Sequence, residues 1–370
     1  FSHPLKSYTM RKAAMVVAPQ PWGGLSKNWI FLCICAFHLT NPFLFAVSKQ
    51  APSHVQRQKE GLYVNIPVGR SCSSAVNYPG IKIELTREEQ LLVSQLDALA
   101  KTLPRGAWRQ AEELISDYTG YSPLVFTAAM QVAFKTKKYP EGIRMYEKLR
   151  AANALLTEPV YAIAMRLYGK LHEMDEVEKL WAELLELECM NQILAQARIN
   201  AAADNGDVDG AREALKYMQQ TRVQVNELHL SSAIHACANS NDENRALHAN
   251  NFFDEMLEQR LNPNIVTYAS LVRSLTGSPR KGFLDLLDNM KDHGVKANGV
   301  FAESFMFAFL QPSGQPRNHG KHKDVLSDIR KLPTDDLKTA KAVLDWFKAT
   351  GIPLTGFCTV LCDELESVLQ

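Results

Sequence analysis

A chain of 370 residues with 46% hydrophobic and 22% charged residues is not disordered throughout, and it has room for two average domains or one elongated array. The formal net charge of +1 conceals a division: residues 1–83 hold nine Lys/Arg against one acid, Glu60, which leaves 32 basic against 39 acidic residues from Glu84 onward. Seven cysteines without paired CxxC spacing argue against a zinc site and against a disulfide framework, and Cys358 and Cys362, one helical turn apart, read as small buried apolar residues.

Residues 1–83 read as an address. An uncharged apolar run from Trp29 to Val47 is followed by a basic, Ser- and Pro-containing stretch to about Tyr78. A signal-like segment followed by a transit-like one points to a plastid bounded by extra membranes, with a mitochondrial presequence or a single membrane anchor as alternatives. From Glu84 the expected fold is all-α. Thr86 and Glu89 form the pattern of a helix-start capping box, with Leu91, Leu92, Gln95, Leu96 and Leu99 as the apolar stripe behind it. Pro104-Arg105-Gly106 ends that helix, and Trp108–Tyr118 forms its partner, so 84–122 is a degenerate first pair or a cap.

A regular period then begins. Residues 123–157, 158–191, 192–226, 227–264 and 265–298 each read as one helix–turn–helix unit. The unit 192–226 has the clearest turn, Asn205-Gly206-Asp207, where Gly206 suits a positive φ and Asp207 suits the next N-cap. In 227–264 a polar turn spans Asn239 to Asn244, and Ala246, Ala249, Phe253 and Met256 share one helical face. Unit 265–298 breaks at Thr276-Gly277-Ser278-Pro279 and closes at Gly294, placed as a left-handed cap. Residues 299–370 read as an atypical helical cap. Val300–Phe309 is aromatic-rich, 311–323 is a loop, and two helices follow, Asp335–Ala349 and Phe357–Leu369. If exposed, Phe301, Phe305 and Phe309 would mark a protein contact; if buried, they are the core of the cap.

The tandem hairpins, with Ile265-Val266-Thr267-Tyr268-Ala269-Ser270-Leu271-Val272 opening one unit and Leu261-Asn262-Pro263-Asn264 closing its predecessor, resemble the pentatricopeptide repeat family. The resemblance covers about Pro123 to Asn298. It implies an α-solenoid in which successive repeats address successive bases of single-stranded RNA. It further implies that the second residue of each repeat sandwiches bases: Leu124, Ile193, Leu228 and Val266, with Pro159 departing from the aliphatic pattern. The fifth and last residues would read them. Those pairs are Thr127 with Thr157, Ala162 with Asn191, Gln196 with Asn226, Ser231 with Asn264, and Ala269 with Asn298. Ser231 with Asn264 resembles the family's adenine combination, whereas an alanine cannot hydrogen-bond a base edge. The terminal asparagines also have a purely structural reading as turn residues.

Three basic clusters could neutralise phosphate or simply be solvated turns: Lys135, Lys137 and Lys138; Arg273, Arg280 and Lys281; Arg317, Lys321 and Lys323. His319 and His322 flank Gly320 in a solvated loop. No P-loop, GxGxxG, GxSxG, HExxH or zinc-deaminase pattern is present, so the chain reads as a non-enzyme without cofactor, metal or small-molecule substrate. The expected function is binding of single-stranded organelle RNA, influencing its processing, stability or translation. The competing expectation is a scaffold subunit of an organelle ribosome or membrane complex that uses the same solenoid for protein contacts, a reading the acidic folded part favours.

Overall fold

The computed structural model describes residues 84–188, 190–311 and 322–370. The N-terminal address with its apolar run Trp29–Val47, the loop 312–321 and, within it, Arg317, His319 and Lys321 lie outside the described residues. Among the described residues there are sixteen α-helices and no strand. They are α1 (Arg87–Thr102), α2 (Ala107–Ser116), α3 (Pro123–Lys135), α4 (Tyr139–Ala151), α5 (Glu158–Lys170), α6 (Met174–Glu186), α7 (Gln192–Asn205) and α8 (Val208–Gln220). After these come α9 (Glu227–Asn239), α10 (Arg245–Glu258), α11 (Ile265–Ser274), α12 (Arg280–Asp292), α13 (Gly299–Phe309), α14 (His322–Asp328), α15 (Thr334–Ala349) and α16 (Gly356–Leu369). None of them is long and apolar enough to cross a membrane.

The helices alternate between two layers. The first helix of each hairpin stacks on the first helix of the next, giving an inner row α1, α3, α5, α7, α9, α11 and α13. Second helices pack mainly on their own partner and on the following inner helix. Small residues permit the tight inner row. Gly169 on α5 faces Ala201 on α7 so closely that an added Cβ would lie 2.8 Å from the Ala201 Cα. Gly169→Ala is therefore expected to lower unfolding free energy by about 1–3 kcal/mol, despite alanine's better helix propensity, because the obstacle is backbone. Urea titration followed by helical ellipticity checks this; a stabilised variant would show that α5 and α7 can separate without loss.

The capping chemistry follows the residues. Thr86 and Glu89 form the reciprocal capping box, with Glu89 N–H donating to Thr86 Oγ1 at 3.2 Å and Thr86 N–H donating to Glu89 Oε2 at 3.0 Å. Gly206 and Gly294 take φ of +69° and +67°. Asp207 Oδ1 accepts from Gly210 N–H at 2.9 Å. The first stripe differs from expectation: Leu96 is buried, but Leu91 is 61% exposed and Gln95 is exposed, because α1 has an inner-row neighbour on one side only.

The apolar core divides into three clusters, and inner helices form the partitions. On α3, Val125, Ala128 and Ala129 face a cluster with Leu96 and Ala111, whereas Phe126 and Met130 face the next. On α7, Leu194, Ala197 and Ala201 belong with Tyr161 and Leu180, whereas Ala195, Ile199 and Ala202 belong to the cluster that runs on to Leu365.

Past Asn298 the plan persists with an insertion. Helix α13 packs against α15 and α16, so the stretch between Phe309 and Thr334 lies within one hairpin. That stretch contains α14 and a 3₁₀ turn, Ile329–Lys331, where a loop to Lys323 without a following helix was expected; α14 begins at His322. Phe301, Phe305 and Phe309 are buried, with Phe305 ring centroids 5.7 Å from Phe283 and 6.0 Å from Phe347. They are the core of the cap and not an exposed contact. Cys358 and Cys362 are buried in the same cluster.

Candidate nucleic-acid interface

One edge of the inner row repeats a local structure four times. Asn191, Asn226, Asn264 and Asn298 are the N-caps of α7, α9, α11 and α13, each in extended backbone. Each spends its side-chain oxygen on the cap. Asn191 Oδ1 accepts from Ile193 N–H at 2.9 Å and Leu194 N–H at 3.0 Å, and Asn226 Oδ1 from Leu228 N–H at 3.0 Å. Asn264 Oδ1 accepts from Val266 N–H at 2.9 Å, and Asn298 Oδ1 from Phe301 N–H at 2.8 Å. Where two backbone N–H groups reach the oxygen, as at Asn191, Asn226 and Asn264, only the amide hydrogens are left to offer a ligand, whereas Asn298 keeps one lone pair as well. The cap and the reading role are thus compatible, and at the first three the cap restricts the role to donation.

Beside each cap stands an exposed aliphatic side chain. Ile193 is 59% exposed, Leu228 and Val266 are each 62% exposed, and Val300 is 71% exposed. Their backbone N–H groups sit in the first turn, so the side chains are held against the cap and turned to solvent. A single exposed aliphatic residue is unremarkable; the same exposure at the same register in four consecutive hairpins is not. Val300 belongs to this row although it falls within 299–370, which reads as a cap in the sequence; its spacing of 34 residues from Val266 is the signal that places it. At the other end the row fades, since Leu124 is half-buried and Pro159, although exposed, is no aliphatic platform.

The fifth-position residues differ among themselves. Thr127 is buried and its hydroxyl donates to the Pro123 carbonyl at 2.7 Å, so it is committed to its own helix. Its partner Thr157 caps α5 without a side-chain bond, and its Oγ1 is buried with no partner. Gln196 Nε2 donates to Asn200 Oδ1 at 2.8 Å and Ser232 Oγ at 3.1 Å, while its Oε1 is buried without a partner. Ser231 is half-buried, 2.7 Å from Thr267 Oγ1 on α11. Ala162 and Ala269 are half-buried and bring no polar atom.

Opposite the cap edge, the C-terminal ends of the inner helices are tied in a polar ladder. Lys135 Nζ donates to the Ala100 carbonyl at 2.8 Å, and Lys170 pairs with Asp204 at 2.6 Å. Asn205 Nδ2 donates to the Gly169 carbonyl at 2.8 Å, Asn239 Nδ2 to the Ala203 carbonyl at 2.7 Å, and Arg273 to Asn239 Oδ1 at 2.5 Å. Arg280 pairs with Asp336 at 3.1 Å beneath the Phe309 ring. Of the basic clusters expected from the sequence, Lys135, Arg273 and Arg280 are therefore engaged in holding helices together. The acidic excess is concentrated on three helices: α6 carries Asp175, Glu176, Glu178, Glu183 and Glu186 against Lys179, α10 carries Asp254, Glu255 and Glu258 against Arg245, and α16 carries Asp363, Glu364 and Glu366 with no Lys or Arg. The inner row α3, α5, α7, α9 and α11 has no such excess.

His229, at the third position of α9, is 1% exposed. Its Nδ1 accepts from Asn226 N–H at 3.1 Å, which fixes the proton on Nε2, and that proton faces the Gln192 carbonyl at 3.3 Å. Burial pushes its pKa below the ordinary 6.5. The neutral ring is the folded form, so its contribution is complete above pH 6.5 and is lost as pH falls from there through the lowered folded pKa. Between pH 7.5 and 5.5 the wild type should lose more stability than His229→Gln does, as read by urea midpoints; equal losses would remove His229 from the account.

Among the described residues no group of three or more His, Cys, Asp or Glu is placed to hold a metal. The side chain of His322 lies outside the described part.

Stacked helical hairpins with a common inner row define an α-solenoid repeat protein. Residues 192–309 match the family model described as pentatricopeptide repeat-containing protein. The matched stretch begins at α7 and ends with α13, and so contains all four capped asparagines except Asn191, which immediately precedes it. No curated protein matches. Among solved structures, the pentatricopeptide repeat protein PPR10 from maize is similar at 16% identity with a TM-score of 0.43, over 78% of this chain and 42% of that one. The same protein in complex with an 18-nt psaJ RNA element is similar at 13% identity with a TM-score of 0.43, over 74% of this chain and 53% of that one. The chain spans about half the length of these structures.

Proposed function

We propose that the array binds single-stranded RNA along the cap edge of its inner row. The observation that carries this reading is the register of exposed aliphatic side chains, Ile193, Leu228, Val266 and Val300, each beside an asparagine whose oxygen is held by backbone and whose amide hydrogens remain free to donate. Unstacked bases need an apolar surface to lie against and a polar atom to address their edges, and this edge offers both at each repeat. The family match over 192–309 supports the same reading. Between α3 and α11 the acidic side chains are concentrated on the second helices α6 and α10, so the inner helices of these repeats carry no acidic excess against an anionic ligand.

Within this reading Ser231 with Asn264 is the one pair that brings a hydroxyl and an amide together, and Gln196 with Asn226 is the second polar pair. An influence on RNA processing, stability or translation in an organelle, with a plastid favoured, is the extension supported by the address-like composition of residues 1–83. The acidic second helices favour a second reading, a scaffold that holds basic protein surfaces.

Binding of the full chain to short single-stranded RNAs at two salt concentrations separates the two. RNA binding should weaken as salt rises. Ser231→Ala with Asn264→Ser, which keeps a capping oxygen on α11 and removes the amide hydrogens, should weaken it roughly tenfold for the preferred sequence, the loss of two neutral hydrogen bonds. Absence of binding at low salt would leave the scaffold in front.

A further inference from the structure

The two side chains of the Ser231/Asn264 pair are not independent. Between them lies Thr267, the third residue of the following repeat, which is 0% exposed. Its Oγ1 is 2.7 Å from Ser231 Oγ. The same oxygen accepts from Asn264 N–H at 3.4 Å, and the Thr267 backbone N–H donates to Asn264 Oδ1 at 3.1 Å. Asn264 Oδ1 is already filled by two backbone hydrogens, from Val266 and Thr267, and is 3.4 Å from the Thr267 hydroxyl. The Thr267 proton therefore has its better acceptor in Ser231.

We propose that Thr267 is a positioning residue that joins Ser231 and Asn264 into one reading unit, directing the Ser231 hydrogen outward. The inference rests on the RNA-binding reading above. If Thr267 donates to Ser231 Oγ, the Ser231 hydrogen is free for a ligand. Asn264, capped through its oxygen, also presents hydrogen. The pair then offers two donors from a rigid base, and its discrimination depends on a residue that touches no ligand. The arrangement is specific to this repeat. At the corresponding third position the other units have Val125, Val160, Leu194, His229 and Phe301, of which only His229 is polar. The His229 ring nitrogens are both taken by backbone, and Gln196 bonds Asn200 and Ser232 instead.

The test uses the full chain as wild type, Thr267→Val, Thr267→Ser and Ser231→Ala, each mixed with a randomised pool of single-stranded RNA and the retained RNA sequenced. The wild type should enrich one base at one position. Thr267→Val, which keeps the shape and removes the hydroxyl, should reduce that enrichment roughly threefold to tenfold, the equivalent of one neutral hydrogen bond. Total RNA retained and helical ellipticity should change little, and Thr267→Ser should restore the preference. Adding Thr267→Val to Ser231→Ala should cost no further preference, since the hydroxyl has nothing left to orient. Unchanged preference in Thr267→Val, or a uniform loss of retention at all positions that Ser does not rescue, would overturn the positioning role while leaving RNA binding intact. A wild type that retains no RNA would overturn the RNA-binding reading itself, and this inference with it.

Discussion

Asp207→Ala is expected to lower the unfolding free energy of the array by about 3 kcal/mol or more. Asp207 does two things at once. Its Oδ1 caps α8 through Gly210 N–H, and its Oδ2 accepts from Arg198 Nη1 at 3.3 Å and Nη2 at 3.2 Å. Arg198 is 1% exposed, a guanidinium inside the α7 packing, and its other carboxylate partner is Glu178 on α6. Glycine at 210 makes the approach possible, since an added Cβ would lie 2.2 Å from Arg198 Nη2. Loss of a cap accounts for roughly 1 kcal/mol. The remainder comes from leaving a buried cation with one half-exposed carboxylate. Arg198→Met should be much milder, because the apolar stem still packs and both carboxylates can turn to water, their side chains being 48% and 30% exposed. Urea denaturation of both variants decides the matter. If Arg198→Met costs as much as Asp207→Ala, the charge network is itself the stabilising element and the desolvation argument fails.

Phe305→Ala is expected to cost about 3–5 kcal/mol. The Phe305 ring is 0% exposed and stands among four others, with centroid distances of 5.7 Å to Phe283, 6.2 Å to Phe301, 5.8 Å to Phe309 and 6.0 Å to Phe347. These rings come from α12, α13 and α15, so the cavity would open where three helices meet and where none can collapse without drawing another off its neighbour. Val300→Ala, five residues earlier on the same helix with a 71% exposed side chain, should change stability by no more than about 0.5 kcal/mol. Trp346, next to Phe347 and beneath the Lys291 ammonium at 4.7 Å, provides a local fluorescence signal once the other four tryptophans are changed to Phe. A Phe305→Ala protein with an unchanged Trp346 transition would mean that the insertion between α13 and α15 refills the space.

Helices and their spacing were legible in the sequence because a 3.6-residue apolar period, Gly294 and the Thr86/Glu89 pattern are local signals that tertiary contacts did not override. The fates of polar side chains were not legible. Lys135 and Arg273 look like surface charge in a one-dimensional pattern, yet each reaches the end of a neighbouring inner helix more than thirty residues away. Thr127 occupies a reading position by count, but its hydroxyl bonds the carbonyl one turn back, a competition that spacing alone does not reveal. Asn264 had two readings, turn residue and base reader, and its cap geometry shows why they need not compete: the oxygen serves one and the amide hydrogens are left for the other. The helix α14 is not legible in the sequence because seven residues carry too little periodicity to be separated from the polar stretch before them. Thr267 was read as part of a family-like opening, and its link to Ser231 arises only when α9 and α11 lie side by side.

The partitioning of the apolar core at α3 and α7 has a consequence for how the molecule fails. Each of these helices belongs to two neighbouring compartments and acts as a bulkhead between them. An opening in an array of this kind can stay within the compartment in which it starts, short of the global unfolding that urea reads. The first hairpins can therefore fray while α9, α11 and α13, with their capped asparagines in line, keep their register. The capped edge from Asn226 to Asn298 lies entirely beyond the second bulkhead.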